Sequence, residues 1–256
     1  MKAAVVTRYG SPDVVVICEV PKPTPAAGEV SIRVHATSVN RTDCGELRAH
    51  PFFIRFFTGL SRPRRTIFGY DFAGEVEAVG SGVTSVKPGD RVFGICPSRS
   101  NGAHAEYVCV PENTVATMPA GTRFDDAVIC EGAFYANAVL EKIKLQPGHK
   151  ILIYGASGAI GTAMVQLAKA NGATVTAVVS TRHLELVKSL GADRVVDYTA
   201  EDFTRIGDTF DCVVDAVGKT SYFRCRKLLA QWGIYCDGPG PLGPECFTHA
   251  VVVDHS

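Results

Sequence analysis

No unbroken apolar stretch in the 256 residues approaches the ~20 that a membrane-crossing helix needs. The longest are short strand-like runs such as residues 14–18 and 251–253. The amino terminus, MKAAVVTRYGSPD, carries neither a signal-peptide apolar region nor a cleavage-site pattern. The expected location is therefore cytoplasmic. No C-x-x-C pair occurs among the nine cysteines, at positions 18, 44, 96, 109, 130, 212, 225, 236 and 246, and their number is odd. That argues against a disulfide framework and against a compact cysteine zinc site, leaving reduced, mostly buried thiols. Net charge is missing as well, with 26 basic residues against 26 acidic ones. No overall field draws nucleic acid, an anionic membrane or an acidic partner, so a polyanion would have to find a local patch. There is no internal repeat and no low-complexity stretch.

What is present is a chain 46% hydrophobic and 20% charged, long enough to bury the core of one large or two ordinary domains. Residues 1–122 run as short strand patterns broken by glycine and proline: KAAVVT, VVVICEV, EVSIRVHATSV, FAGEVEAVG, DRVFGI and AEYVCVP, with turn signals YGSPD, PKPTPAAG and KPGD between them. A compact, mostly antiparallel β domain is expected there. One helix is expected over 50–59, with Pro51 in its first turn, Phe52, Phe53, Phe56 and Phe57 on one buried face, and Gly59 at its stop. Residues 123–256 change grammar. After a helix over 127–144, strands over 150–154, 174–179, 194–197, 211–215 and 233–236 alternate with helices over 159–171, 182–190 and 221–231. Strand, helix, strand in repetition implies an α/β fold with a parallel, doubly wound sheet.

ILIYGASGAIG places its small residues where the first strand of that sheet becomes its first helix, the context a dinucleotide fingerprint requires. Ala156 stands at the first glycine position, Gly158 admits a pyrophosphate close to the backbone, and Gly161 lets the helix pack on the sheet. Ser157, Ala159 and Ile160 complete the turn, whose free amides and helix dipole face the phosphates. About twenty residues on, NAD-specific proteins carry a carboxylate for the ribose hydroxyls; here the chain reads Ser180, Thr181, Arg182. Two hydroxyls and a guanidinium suit a 2′-phosphate, so NADP(H) is the favoured cofactor. A bare helix cap at Ser180 or Thr181 is compatible with that role. Tyr198, ending the third strand, either flanks the same phosphate or is a surface aromatic.

In order along the chain, ATSVNRTD, GYDFAGEVEAVG, KPGDRVFG, AEYVCVP, QPGHKILIYGASGAIG, GADRVVDY and FDCVVDAVG resemble the medium-chain dehydrogenase/reductase superfamily, in its zinc-free quinone oxidoreductase and enone reductase branch. The resemblance implies a GroES-like catalytic domain, a Rossmann domain and an active site in the cleft between them. It implies cofactor contacts from Ala216, Val217 and Gly218, and catalytic roles for Asn40 and Tyr70, with Asp43 buttressing the Asn40 segment. A purely structural role remains open for each: turn satisfaction for Asn40 and Asp43, aromatic packing for Tyr70. Where zinc-dependent relatives place a ligand cysteine and Gly-His-Glu, this chain has Asn40 and Gly69-Tyr70-Asp71. Cys44 and Glu131 lie near ligand-like positions, but a catalytic zinc needs three protein donors, and no zinc is expected. Tyr135 stands where relatives often have a threonine near the nicotinamide.

Without a Lewis acid, hydride delivery to a quinone or an α,β-unsaturated carbonyl suits such a site better than alcohol oxidation, because hydrogen-bond donors can meet the charge that develops on the conjugated oxygen. The alternatives are a catalytically weak NADP(H)-binding scaffold or regulatory protein and, more distantly, a zinc-type alcohol dehydrogenase. PFFIRFFTGLSRPRRT mixes four phenylalanines with Arg55, Arg62, Arg64 and Arg65; core or cleft lining is expected there rather than nucleic-acid binding. His35 and His104, in strand patterns, read as ordinary domain residues. A six-stranded Rossmann sheet calls for another helix and strand after Gly233. PGPLGPECFTHAVVVDHS has too many breakers for a helix, although FTHAVVV offers one short strand, so an incomplete sheet is the expectation. Relatives commonly form homodimers through that sheet edge, which makes dimerisation doubtful for this carboxyl terminus. No membrane partner is expected.

Overall fold

The computed structural model describes residues 1–50, 52–97, 102–128, 130–237 and 250–252. Pro51 and Cys246 lie outside them. The chain divides into two compact units, Met1–Glu131 and Gly132–Ser256.

The first unit is built on a five-stranded antiparallel sheet. Its elements in chain order are β1 (Lys2–Val6), β2 (Val15–Glu19), β3 (Glu29–Ala36), α1 (Arg41–Arg48), α2 (Arg55–Thr58), β4 (Asp71–Val79), β5 (Arg91–Ile95), β6 (Tyr107–Pro111), β7 (Val115–Thr117) and α3 (Phe124–Ala127). The sheet order is β6-β3-β4-β5-β7, and β1 and β2 form a separate antiparallel pair. Val30, Ile32, Phe72, Val76, Val92, Val108 and Val110 supply the buried face of the sheet. These β-branched and aromatic residues fit a pleated surface packed on one side.

The helix expected over 50–59 is shorter than its phenylalanine spacing suggests. A 3-10 turn over Phe52–Ile54 runs into α2, which closes where the Gly59 amide donates to the Arg55 carbonyl. Its phenylalanines are not a buried face: Phe52, Phe53, Phe56 and Phe57 are between 43% and 66% exposed. Helical spacing puts side chains on one side of a helix but does not supply a surface for that side to pack against.

α4 (Cys130–Lys142) begins at the end of the first unit and leads into the second. The second unit continues through β8 (Lys150–Tyr154), α5 (Ala159–Ala170), β9 (Thr174–Val179), α6 (Leu184–Ser189), β10 (Arg194–Asp197), β11 (Phe210–Asp215), α7 (Tyr222–Cys225), β12 (Leu229–Asp237) and β13 (Ala250–Val252). The sheet order is β10-β9-β8-β11-β12-β13. Five strands are parallel, and β13 adds antiparallel to β12 through pairs such as Tyr235 with Val251. The stretch FTHAVVV thus contributes its short strand. Continuous apolar runs make the central strands. Ile151, Leu152 and Ile153 of β8 and Val175, Ala177, Val178 and Val179 of β9 are all at most 1% exposed, as expected for a sheet covered on both faces. Among the described residues no helix is long and apolar enough to cross a membrane.

The helix expected over 221–231 ends early. α7 and a 3-10 turn over Arg226–Leu228 give way to β12 at Leu229, which pairs with Phe210 of β11. Ladder hydrogen bonds to a neighbouring strand override the local helical pattern. Between the pairs Phe210–Leu229 and Cys212–Ile234, β12 takes five steps against two on β11. The excess is absorbed where Trp232 adopts a φ of 65°. A bulky L-residue there costs roughly 1–2 kcal/mol, and the indole, 59% exposed, recovers little by burial. Trp232→Gly should therefore raise stability by about 0.5–1 kcal/mol after glycine's greater chain entropy, read as an increased urea midpoint; an unchanged or lower midpoint would mean the indole stabilises the bulge.

Cys18, Cys44, Cys96, Cys109, Cys212, Cys225 and Cys236 form no disulfide, with Cys44 exposed and Cys96, Cys212, Cys225 and Cys236 buried. Burial pushes the Cys212 thiol up to about 12 and that of Cys236 to about 11, which removes the reactive thiolate at neutral pH. Brief alkylation of the native protein, mapped by mass spectrometry, should label Cys44 first and leave those four untouched until denaturant is added.

Candidate functional site

In the second unit, every residue expected to touch a cofactor lies at the carboxyl ends of the parallel strands. β8 ends at Tyr154, and the chain turns through Gly155, Ala156 and Ser157 to Gly158, which caps α5 without any side-chain hydrogen bond. The Gly158 amide donates to the Gly155 carbonyl at 3.2 Å, but the amides of Ala159, Ile160 and Gly161 meet no acceptor among the described residues. Three unpaired donors at the positive end of a twelve-residue helix are an arrangement suited to an anion. Gly161 explains how α5 comes so near the strand. A Cβ there would lie 2.3 Å from the Gly155 carbonyl oxygen and 2.6 Å from Ala156 Cα, contacts no side chain tolerates.

Sheet register brings the other segments alongside. Tyr154 pairs with Val178 of β9 and with Asp215 of β11, so Ser180 and the loop Ala216, Val217, Gly218 flank the α5 turn. The sheet order reverses direction between β8 and β11, the switch point where ligands of doubly wound sheets bind. Asp215, fully buried, accepts the amides of Val217 at 3.0 Å, Gly218 at 2.9 Å and Thr220 at 2.7 Å. The carboxylate folds that loop back over the strand end, and Val217 then stands against the Gly155 turn.

At the end of β9, Ser180 leads into a 3-10 turn over Thr181–His183 and makes no side-chain cap. Thr181 donates its hydroxyl to Asp197 Oδ2 at 2.5 Å, and this bond together with those from Thr199 holds the Asp197 carboxyl below its ordinary range. The Thr181 proton is thereby committed, leaving the hydroxyl of half-buried Ser180 and the exposed Arg182 guanidinium as the remaining side-chain donors of residues 180–182. Asp197 was absent from the sequence-based set; the motif RVVDY displays it, but only the pairing of β10 with β9, Asp197 opposite Val179, brings it to Thr181. Tyr198, 47% exposed, lies next to Ser180 across the sheet, its amide donating to the Val179 carbonyl. Its ring sits 5.9 Å from that of Tyr154, and both line a cavity of about 400 Å³ with Phe203 and Arg224.

The first unit gathers Asn40, Asp43 and Tyr70 around the start of α1. Asn40 is the helix cap: its Oδ1 accepts the amides of Thr42 at 2.9 Å and Asp43 at 3.0 Å, while Asp43 Oδ2 accepts the Asn40 amide at 3.1 Å. This reciprocal box uses the acceptor of the Asn40 side chain and leaves its donor. Nδ2 of Asn40 is buried and meets no acceptor among the described residues, an arrangement that costs stability unless another group completes it. Asp43 also takes the Gly69 amide at 3.0 Å, tying the helix start to the residue before Tyr70. The Tyr70 hydroxyl donates to Glu46, whose carboxylate lies 3.4 Å from Arg65. Burial raises the Glu46 carboxyl above its ordinary range, against the lowering by Arg65 and by Tyr70. Glu46 and Arg65 were not singled out as partners of Tyr70; a spacing of 24 residues from Glu46 to Tyr70 carries no local signal.

The neighbouring polar residues have structural attachments. Asp71 accepts the amide and hydroxyl of Ser38, His104 Nε2 lies 2.9 Å from the Ser38 carbonyl, and Glu131 accepts the Thr42 hydroxyl at 2.7 Å. His35 stacks on Phe124. Tyr135, 7% exposed on α4, belongs to the core of the second unit. Among the described residues no three of His, Cys, Asp and Glu converge as a metal-binding group.

Both units match known protein families. Residues 26–120 match the family described as alcohol dehydrogenase GroES-like domain, and residues 159–235 the one described as zinc-binding dehydrogenase. The chain is 37% identical to a 2-methylene-furan-3-one reductase of Solanum lycopersicum, with 98% of this chain and 65% of the relative aligned. It is 35% identical to a chloroplastic NADPH-dependent alkenal/one oxidoreductase of Arabidopsis thaliana, over 98% of this chain and 66% of the relative. It thus spans just under two thirds of the length of both. The solved quinone oxidoreductase of Coxiella burnetii superposes with a TM-score of 0.81 at 30% identity, covering 92% of this chain and 74% of that one. An ordered set of motifs, a β-rich unit followed by a parallel dinucleotide-type sheet, and similarity along nearly the whole sequence agree: the chain belongs to the medium-chain dehydrogenase/reductase superfamily, in its quinone oxidoreductase branch.

Proposed function

We propose that this protein is an NADP(H)-dependent oxidoreductase that reduces quinones or α,β-unsaturated carbonyl compounds by hydride transfer without zinc. The observation that carries the reading is the uncapped amino end of α5, where three amides face outward beside a β9 end that bears Ser180 and Arg182 in place of a carboxylate. The amides of Ala159, Ile160 and Gly161 hold the pyrophosphate, with Ala156, Ser157 and Gly158 shaping the turn. Ser180 and Arg182 bind the 2′-phosphate, Thr181 orients that turn through Asp197, and Tyr198 borders the adenosine end. Ala216, Val217 and Gly218, held by Asp215, line the path of the dinucleotide. The name of the Arabidopsis relative, which specifies NADPH, supports this assignment.

The bound cofactor supplies a hydride to an electron-poor carbon, and the protein's task is to meet the negative charge that appears on the conjugated oxygen. Asn40 suits that task. Its capping bonds fix the side chain, and its unused Nδ2 donor is directed by the same bonds; a preorganised donor needs no reorganisation as the charge develops. Asp43 is a positioning residue that holds the Asn40 backbone and the Gly69 amide. Tyr70, whose hydroxyl donates to Glu46, takes part through the Glu46–Arg65 pair. The donor chemistry at these positions, an amide and a phenol, does not suit zinc. Names of relatives that specify an enone-type reductase, an alkenal/one oxidoreductase and a quinone oxidoreductase support the substrate class.

Steady-state NADPH consumption with a panel of quinones and conjugated enones should show turnover; coenzyme binding without turnover on any of them would leave an NADP(H)-binding scaffold. Arg182→Ala should weaken NADPH about tenfold more than NADH in calorimetry, as expected for loss of a charge-assisted hydrogen bond, and equal losses would remove Arg182 from the phosphate site. Gly161→Ala should abolish binding of both reduced coenzymes and cost about 1–3 kcal/mol of stability, since the added methyl meets backbone rather than a yielding side chain. Retained binding would relocate the phosphates.

A further inference from the structure

The phenylalanine-rich turn that the fold leaves uncovered has a composition unlike the rest of this charge-balanced chain. Phe52, Phe53, Phe56, Phe57 and Leu60 are all exposed, between 43% and 66%, and together they make an apolar patch larger than scattered surface residues require. Within residues 41–66 the exposed Asp, Glu, Lys and Arg side chains have one sign. Arg41, Arg48, Arg62 and Arg64 are exposed. The two carboxylates of residues 41–66 are withdrawn, Asp43 into the α1 box at 4% exposure and Glu46 onto Arg65 and Tyr70.

The turn is held in place from beneath. The Tyr9 hydroxyl donates to the Gly59 carbonyl at 2.7 Å and lies 2.8 Å from Thr58 Oγ1, and the Arg64 amide donates to the Thr58 carbonyl. Gly59 sits at a φ of 126°, where a Cβ would strike the Arg62 carbonyl 2.0 Å away. Arg55 lies across the rings of Tyr9 and Phe52. The patch is thus a built feature: aromatic side chains presented on a short pinned turn, with exposed arginines beside it, of which Arg64 also donates to the Phe57 carbonyl at 3.4 Å.

We propose that residues 41–64 form a peripheral membrane-contact surface that inserts its phenylalanines at the headgroup boundary of an anionic bilayer while the arginines engage lipid phosphates. Aromatic side chains beside arginines match both layers of that boundary, apolar below and negatively charged above. The net charge of zero for the whole chain does not oppose this, because attraction at a surface acts over about a Debye length and is decided by the local patch. Single-stranded nucleic acid is the less suited polyanion. The rings crowd one turn at spacings of one and three residues, whereas stacking platforms distribute aromatics along a groove. The inference does not rest on the proposed oxidoreductase activity, and its test involves no turnover.

The test is co-sedimentation of the full chain with vesicles of phosphatidylcholine alone or with phosphatidylserine. The protein should partition onto the phosphatidylserine vesicles and much less onto phosphatidylcholine alone, and salt near 1 M, where the Debye length falls to about 3 Å, should release it. Arg62→Gln with Arg64→Gln should reduce partitioning about twentyfold or more, at about fivefold per arginine. Phe56→Ser with Phe57→Ser should reduce it about tenfold. Circular dichroism checks that each variant is folded, and the salt and arginine arms stand if the phenylalanine variant is not. Absence of partitioning by the unsubstituted protein, or equal partitioning by folded variants, would overturn the proposal. So would binding to a thymidine oligonucleotide that the same substitutions abolish while vesicles are ignored.

Discussion

The second unit depends on one close approach, that of α5 to the end of β8 at Gly161. Because no side chain intervenes, the helix axis can descend onto the Gly155–Ala156 backbone, and its first amides emerge at the edge of the sheet instead of behind a side chain. Everything else at that edge is arranged relative to this point by strand pairing. The register of β8 with β9 sets Ser180, and that with β11 sets the Asp215 loop. A helix held farther out would separate its dipole from the neighbouring strand ends, and the proposed phosphate site would lose the side chains proposed to select the cofactor.

The first unit solves a different problem with similar means. Asn40 and Asp43 satisfy each other's backbone amides at the start of α1, as many helix starts do. The distinctive part is what the box leaves over: a buried amide donor on Asn40 and a second carboxylate oxygen on Asp43 that reaches Gly69. Capping therefore both stabilises the helix and orients polar groups whose positions would otherwise vary with rotamer. Burial raises the carboxyl of the adjoining Glu46 above its ordinary range, against the lowering by Arg65 and Tyr70.

Where stability and function pull apart, the chain shows it. Trp232 occupies a backbone conformation that glycine adopts more readily, and the phenylalanines of the turn after α1 remain in solvent although their burial would stabilise the fold. Exposed aromatic surface of that kind persists when it serves contact with something other than the chain itself. The buried cysteines are the opposite case. At Cys212 of β11, Cys236 of β12 and Cys225 at the end of α7, the buried thiols pack as small side chains.

Local pattern alone determined the strands β8, β9 and β10 to the residue, the start of α5 at Ala159, the two contrasting grammars of the chain, and the small-residue turn with its carboxylate-free follower. Each of these is written in consecutive residues whose periodicity or turn chemistry has one reading. Tertiary structure decided what local pattern could not. It shortened the helix expected over 221–231, because β11 offered ladder bonds to Leu229 onward. It committed Thr181 to Asp197 and Tyr70 to Glu46, pairs separated by 16 and 24 residues that only folding brings together. It left Phe52, Phe53, Phe56 and Phe57 in solvent, since amphipathic spacing states which side chains share a face and is silent on whether any surface exists to receive it.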